Sequence, residues 1–132
     1  MKIVADTNTF LAVVLYEPER DSIIKLTVGH ELIAPEVLPF EIGNALSALL
    51  KRKKMTTSEM LSAWSAIQKI PVDLRAVDIA KALEISSNFH IYAYDAYFLV
   101  CALFLHSPLL TLDKRMNQIA KVLGIQTMEV SK

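Results

Sequence analysis

Four acids stand where a solvated surface does not account for them: Asp6, Glu41, Asp95 and Asp113. Each is flanked by hydrophobic residues, in the strings IVAD, PFEI, AYDAY and LLTLD. A charged carboxylate is seldom taken out of water without a counter-charge or a metal, because its desolvation costs several kcal/mol. No Lys or Arg is adjacent to Asp6, Glu41 or Asp95 in the chain. Carboxylates brought together repel one another, and a hard divalent cation relieves that repulsion. Ligands that are all oxygen favour Mg²⁺ or Mn²⁺ over zinc, which prefers His or Cys. Such ions serve phosphodiester chemistry, where they activate a water and neutralise the leaving oxygen. A plainer role is open to the same acids. Asp6 and Asp113 precede segments that read as helices and can cap them. Asp95, heading an apolar helix, gains about 0.3 to 1 kcal/mol from the helix dipole. Glu41 is harder to explain as a cap, since it precedes Ala45 and Ala48 on a small-residue helix face that leaves room for a ligand.

The elements that would position these acids follow from the apolar pattern. Lys2 to Ala5 reads as a short buried strand that delivers Asp6 at its carboxyl end. Asn8 to Tyr16 and Glu19 to Val28 read as two short helices, the second stopped by Gly29. Glu31 to Ala34 is a second strand closed by Pro35, and a helix then runs from near Glu36 to Lys54. Its core face is Ile42, Ala45, Leu46, Leu49 and Leu50. Thr56 or Thr57 caps the next helix, which presents Met60, Leu61, Trp64 and Ile67 and ends before Pro71. After an extended Val72 to Leu74, Ala76 to Ser86 is helical, and Asp95 opens the most apolar helix, stopped by Ser107-Pro108. Pro108 to Leu112 is a strand delivering Asp113. A helix over Lys114 to Leu123, Gly124 just beyond it, and a last strand over Ile125 to Val130 complete the chain. Strands alternating with helices predict a three-layer α/β/α sandwich around a mainly parallel sheet, whose ligands bind beyond the strands' carboxyl ends.

Composition narrows the function classes. The chain has 132 residues, 53% of them hydrophobic, with three Gly and five Pro, which fits one globular domain over 1–132 and excludes disorder and low-complexity arrays. Fourteen basic residues balance fourteen acids, so no global basic field draws the protein to nucleic acid or to anionic membrane. Any nucleic-acid contact is therefore local, and Lys51 to Lys54 is the one concentrated positive run. That run also reads as a solvated helix C-terminus. A mean hydropathy of +0.36 is high for a small soluble domain and predicts self-association or a protein partner. The longest apolar run, Ala96 to Leu105, is too short to span a membrane, and the N-terminus lacks the pattern of a signal peptide. With a single cysteine, Cys101, that reads as a core thiol, the expected compartment is the reducing cytoplasm. His30, His90 and His106 share no metal-ligand spacing.

The strings IVADTNTFLAVVL, PEVLPFEIGNAL, YAYDAYFLVCAL and SPLLTLDKRM resemble, in order and spacing, the four motif blocks of PIN domains, in particular VapC-type toxins of type II toxin–antitoxin pairs. The resemblance spans nearly the whole chain. It implies a Mg²⁺- or Mn²⁺-dependent endoribonuclease that hydrolyses RNA with a metal-activated water held by Asp6, Glu41, Asp95 and Asp113. It assigns Asn8 and Thr111 to orienting the carboxylates or that water. Where many PIN-domain nucleases carry a further acid two residues after the last, this chain has Arg115, with Asn117 the next polar residue. A homodimer and a cognate antitoxin covering the active-site groove are implied as well. Two other readings stand beside it: a non-catalytic α/β module holding a structural cation, and a receiver-like phosphoryl-signalling domain, in which Glu41 on a helix would have no role.

Overall fold

The computed structural model describes residues 1–132. Its elements run β1 (Lys2–Ala5), α1 (Thr7–Val14), α2 (Arg20–Thr27), β2 (Glu31–Pro35), α3 (Leu38–Lys51) and α4 (Thr57–Gln68). There follow β3 (Asp73–Arg75), α5 (Ile79–Phe89), α6 (Ala93–Leu105), β4 (Leu109–Leu110) and α7 (Lys114–Val122). The four strands form one sheet in the order β3-β2-β1-β4, and every pairing is parallel. The central strand β1 pairs Ile3 with Leu32 and Val4 with Ile33 on one side, and Ala5 with Leu110 on the other. Successive side chains of a strand point to opposite faces, yet Ile3, Val4 and Ala5 are all buried, so helices cover both faces. This is the expected mainly parallel sandwich, with seven helices flanking the sheet.

One core of 28 buried hydrophobic residues runs through all the layers. Helix α6 supplies Ala96, Phe98, Leu99, Val100, Cys101 and Ala102 to it, and β1 and β2 lie against that helix. Burial holds the Cys101 thiol protonated, with its pKa pushed up to about 11. Helix α3 buries Ile42 and Leu46, and α4 buries Ala63 and Ile67 beside the half-buried Met60 and Trp64. Leu61, expected on that face, is exposed. A capping box fixes the start of α4: the Glu59 amide donates to the Thr56 hydroxyl at 3.1 Å and the Thr56 amide to the Glu59 carboxylate at 2.9 Å. No single helix is long and apolar enough to cross a membrane.

Several boundaries differ from the sequence expectation: α5 runs Ile79–Phe89 rather than Ala76 to Ser86, because Asp78 caps its start and His90 ends it with a left-handed φ, β4 keeps only Leu109–Leu110 of Pro108 to Leu112, and four further differences each have a local reason. Helix α3 ends at Lys51, not Lys54. Lys53 takes a left-handed φ of 59°, and the Lys53 and Lys54 amides fold back on the carbonyls of Leu50 and Leu49, which closes the helix before the basic run ends. Helix α6 starts at Ala93 with Tyr92 as its N-cap, so Asp95 lies inside the first turn rather than at the cap. The extended stretch before α5 is a true edge strand, β3, paired with Ile33 to Pro35. The last strand, expected over Ile125 to Val130, reduces to a single bridge between Leu109 and Thr127. Strand β4 is itself two residues long and offers no longer edge to pair with.

Candidate active site

Parallel strands bring their carboxyl ends to one edge of the sheet, and α1, α3 and α7 each start there because each follows a strand that ends there. Helix α6 runs from that rim to the opposite edge, where β4 begins, so its first turn joins the same group. The result is a cleft of about 290 Å³ lined by Asp6, Thr7 and Asn8 from β1–α1, by Val37, Phe40, Glu41, Asn44 and Ala45 around α3, and by Tyr94, Asp95 and Phe98 from α6. No Lys or Arg lines it.

Asp6 is the most deeply set acid, 7% exposed. Its Oδ1 caps α1 by accepting the Thr9 amide at 3.1 Å, and it also accepts the Thr9 hydroxyl at 2.6 Å. Its Oδ2 accepts the Thr111 hydroxyl from the end of β4. Thr111 in turn accepts the Asp113 amide at 3.1 Å, so one threonine ties the two strand-end acids together through its hydroxyl. Burial raises the Asp6 pKa, hydrogen bonds from Thr111 and Thr9 oppose the rise, and the charge of Asp113 adds to it. Glu41 sits in the first turn of α3 and accepts the Thr7 hydroxyl at 3.0 Å. Its pKa is raised by burial, then by the charges of Asp95 and Asp6, against the opposing Thr7 bond. Asp95 is raised by burial and by the charges of Asp113 and Asp6, and no hydrogen bond offsets the shift.

Asp113 stands differently. It caps α7, its Oδ1 accepting the Arg115 amide at 2.8 Å and the Met116 amide at 3.1 Å, and it lies outside the lining of the cleft although its charge reaches Asp6 and Asp95. The plain capping role is thus realised at Asp6 and Asp113, while Asp95 caps nothing. Asn8 lines the cleft. Asn117 donates its amide to the Thr111 carbonyl at 3.3 Å and leaves its Oδ1 buried without a partner. The guanidinium of Arg115 turns away to the Phe89 carbonyl at 3.1 Å.

The donor chemistry fits a hard divalent cation, since the polar groups of the cleft offer only oxygen and side-chain amides. No three His, Cys, Asp or Glu side chains stand at mutual spacing that could hold an ion. A hydrated Mg²⁺ does not require such a cage, because it keeps several waters and uses one or two carboxylates. Asp95 and Glu41, the less tied of the acids, are the side chains able to turn towards one. Sequence reasoning missed Thr7 and Thr9, the hydroxyls that hold Glu41 and Asp6. The signal was the TNT that follows Asp6, since a threonine three residues past an acidic N-cap places its amide and hydroxyl at that carboxylate. Phe40, Asn44 and Tyr94 were missed as well, being neighbours of the acids rather than acids.

A PIN domain family model matches residues 3–122. Among solved structures, PAE2754 from Pyrobaculum aerophilum is similar with a TM-score of 0.71 at 16% identity, over 96% of this chain and 83% of that one. VapBC2 from Rickettsia felis, bound to a DNA fragment from their promoter, is similar with a TM-score of 0.67 at 14% identity, over 99% of this chain and 100% of that one. At such identities the likeness is one of fold. No curated protein matches the sequence.

Proposed function

The chain belongs to the PIN domain family, and from that membership we propose that it is a divalent-metal-dependent endoribonuclease acting as the toxin of a toxin–antitoxin pair. PIN domains are generally nucleases and generally use divalent metal ions. The observation that carries the reading is the convergence of Asp6, Glu41 and Asp95 on one cleft free of basic side chains, each with its pKa raised by burial and by the other acids' charges. That excess of negative charge is the arrangement a bound cation stabilises. The receiver-like alternative has no place in this family.

In this reading Mg²⁺ or Mn²⁺ supplies the electrophile and the activation of water at the scissile phosphate. The chain's own residues set the geometry. Asp6, fixed by Thr9 and Thr111, would be the rigid ligand. Glu41, steadied by Thr7, and Asp95 line the same cleft from two helices and would turn towards the ion. Asp113 acts at longer range, its charge adding to the field at Asp6 and Asp95. Asn8 orients groups within the cleft, and Asn117 steadies the backbone of Thr111. The toxin role and an antitoxin partner are supported by the fold shared with VapBC2, and a homodimer would cover exposed apolar side chains such as Ile79, Leu83 and Val122. The cytoplasm fits the same reading.

The test is a titration of Mn²⁺ and Mg²⁺ against purified protein, read both as RNA cleavage and as melting temperature. Ion at a hundred times its Kd adds about 2.7 kcal/mol to the folded state. Cleavage and thermal stabilisation should rise together. Stabilisation without cleavage of any RNA would leave a module that only holds a cation.

A further inference from the structure

The carboxylates that would hold the ion also repel a polyanion, and no Lys or Arg lines their cleft. With fourteen basic residues set against fourteen acids, the protein as a whole does not attract one either. Attraction for a phosphate backbone must therefore come from a local patch outside the cleft. Lys51, Arg52, Lys53 and Lys54 make such a patch where α3 ends. All four are exposed, and none is in an ion pair. The nearest acid in the chain, Glu59, is engaged in the capping box of α4.

Closing the helix does not explain these side chains. The carbonyls of Ala48, Leu49 and Leu50 already accept the backbone amides of Arg52, Lys54 and Lys53, so no basic side chain is needed there. The helix dipole favours Lys51 and Arg52 but fades beyond the last turn. Lys53 holds a left-handed φ of 59°, a conformation that suits glycine best and that Gly29 and Gly124 take at the same position beyond α2 and α7. A charged side chain thus stands where the backbone asks for none.

The patch is also in line with the cleft. Glu41, Ala45, Leu49 and Arg52 follow the spacing i, i+4, i+8, i+11 and share one face of α3, with Arg52 about 16 Å from Glu41 along the axis. Glu41 and Ala45 line the cleft, and Leu49 lines a second hollow of about 360 Å³ that shares Asn8 with it. Glu17 and Glu19 stand on the α1–α2 side of that hollow, which leaves the α3 side for a polyanion. The lysines that face another cavity, Lys114, Lys121 and Lys132, share it with Glu19 and Glu129.

We propose that Lys51 to Lys54 form a phosphate-binding end to this face of α3, holding the RNA backbone at a distance from the cut so that the strand lies along α3 and enters the cleft beside Asn8 and Ala45. The inference rests on the nuclease reading and deepens it, by naming what attracts the substrate. The test uses the full chain and a fluorescein-labelled pool of random-sequence oligoribonucleotides, since the phosphate contribution does not depend on sequence. Binding is read by anisotropy in EDTA over a series of KCl concentrations, and cleavage of the same pool with Mn²⁺ gives KM and kcat. Each phosphate contact contributes about 0.7 to 0.9 to the slope of log Kd against log salt, so its removal should weaken binding about 5- to 8-fold at about 0.1 M KCl. Arg52→Gln and Lys53→Gly should each show that loss and that smaller slope, and should converge on wild type towards about 1 M KCl. KM should rise by the same factor, with kcat within about twofold of wild type because Arg52 lies three turns from Glu41. Lys53→Gly should melt no lower than wild type, since glycine suits its φ, so its weaker binding cannot come from a loss of fold. Lys25→Ala, which removes an exposed charge from α2, should bind as wild type does.

Unchanged Kd and salt slope in Arg52→Gln and Lys53→Gly would overturn the proposal and leave the nuclease reading standing. An equal loss in Lys25→Ala would overturn it too, since net charge alone would then account for binding. A weaker Kd with an unchanged KM would also overturn it, because the patch would then hold RNA in a way the cleft does not use. A wild type that binds the pool through the patch and never cleaves it would contradict the nuclease reading and leave the phosphate contact standing.

Discussion

Asp6 and Asp95 share a cleft and are held in opposite ways. Asp6 is enclosed by the Thr9 amide, the Thr9 hydroxyl and the Thr111 hydroxyl, which join the end of β1 to the start of α1 and the end of β4. Asp95 projects from the first turn of α6, half-buried, caps nothing, and has no hydrogen bond to compensate its desolvation. One acid belongs to the frame and to the site together. The other makes no hydrogen bond, and its one structural return is the favourable dipole at the start of α6, which we propose is less than the cost of burying its charge unless the cleft uses it. A stability measurement and an activity measurement should therefore separate the two residues.

The largest effect on the frame is expected for Asp6→Ala. It removes the cap of α1 and the acceptor of the Thr111 hydroxyl, and leaves the Thr9 hydroxyl only the Leu110 carbonyl, so chemical denaturation should show a loss of roughly 2 to 4 kcal/mol. Asp6→Asn keeps a capping oxygen and sheds the repelled charge, so its stability should stay close to wild type without metal while its response to Mn²⁺ weakens. If alanine costs no more than asparagine, the hydroxyl network does not hold the rim and the contrast with Asp95 collapses.

Thr111→Val sharpens the same contrast, because it keeps the shape but loses both the bond to Asp6 and the acceptor for the Asp113 amide. A loss of about 1 to 3 kcal/mol is expected, with the Asp6 pKa rising further as an opposing hydrogen bond disappears. An equivalent loss from substituting any exposed threonine would show that the position is not special.

The smallest effect is the dependence on pH. Asp6, Glu41 and Asp95 bind protons more tightly in the folded chain than their ordinary values of 3.8 and 4.5 imply. Between those values and the raised ones the folded state carries more protons than the unfolded, so stability rises as pH falls through the raised pKa values. The metal-free protein should melt higher at about pH 5 than at pH 7, with a shallower slope in Asp6→Asn. Asp73 acts in the opposite sense, since its bond to Arg75 lowers its pKa, but its effect falls at and below its ordinary 3.8. A melting temperature that fell steadily from pH 7 to pH 5 would contradict the raised values.

Much of the fold is legible in the amino-acid sequence, and so are three of the acids that line the cleft, Asp6, Glu41 and Asp95, while Asp113, put forward with them, lies outside its lining. The apolar run Lys2 to Ala5 has the length and burial of a central parallel strand and is the observed β1. The i, i+4 stripe of Ile42 and Leu46 marks α3, and Gly124 takes the positive φ expected just beyond α7. What escapes lies where local pattern is weakest. Strand β3 is three residues of half-exposed edge, with too little burial to leave an alternation. The last segment has strand-like composition, but pairing depends on the length of its neighbour, which composition does not carry. The first turn of α6 begins two residues before Asp95 because Tyr92 enters the helix without a side-chain cap, a start that no capping residue marks. The acids themselves point to the cleft. The Thr111 bond that holds Asp6 spans 105 residues of chain and exists only because β4 lies beside β1.

The most direct test of the central claim is metal-dependent RNA cleavage by purified wild type and Asp95→Asn, matched for melting temperature and free of any antitoxin. Asn keeps the size and the hydrogen-bonding reach of Asp but not its charge, and Asp95 caps nothing whose loss could disturb the fold. Cleavage should fall by about a hundredfold or more while the melting temperature in the absence of metal is unchanged or slightly raised. Equal rates from the two proteins would contradict the account, because the cleft acid that makes no hydrogen bond would then have no chemical role either.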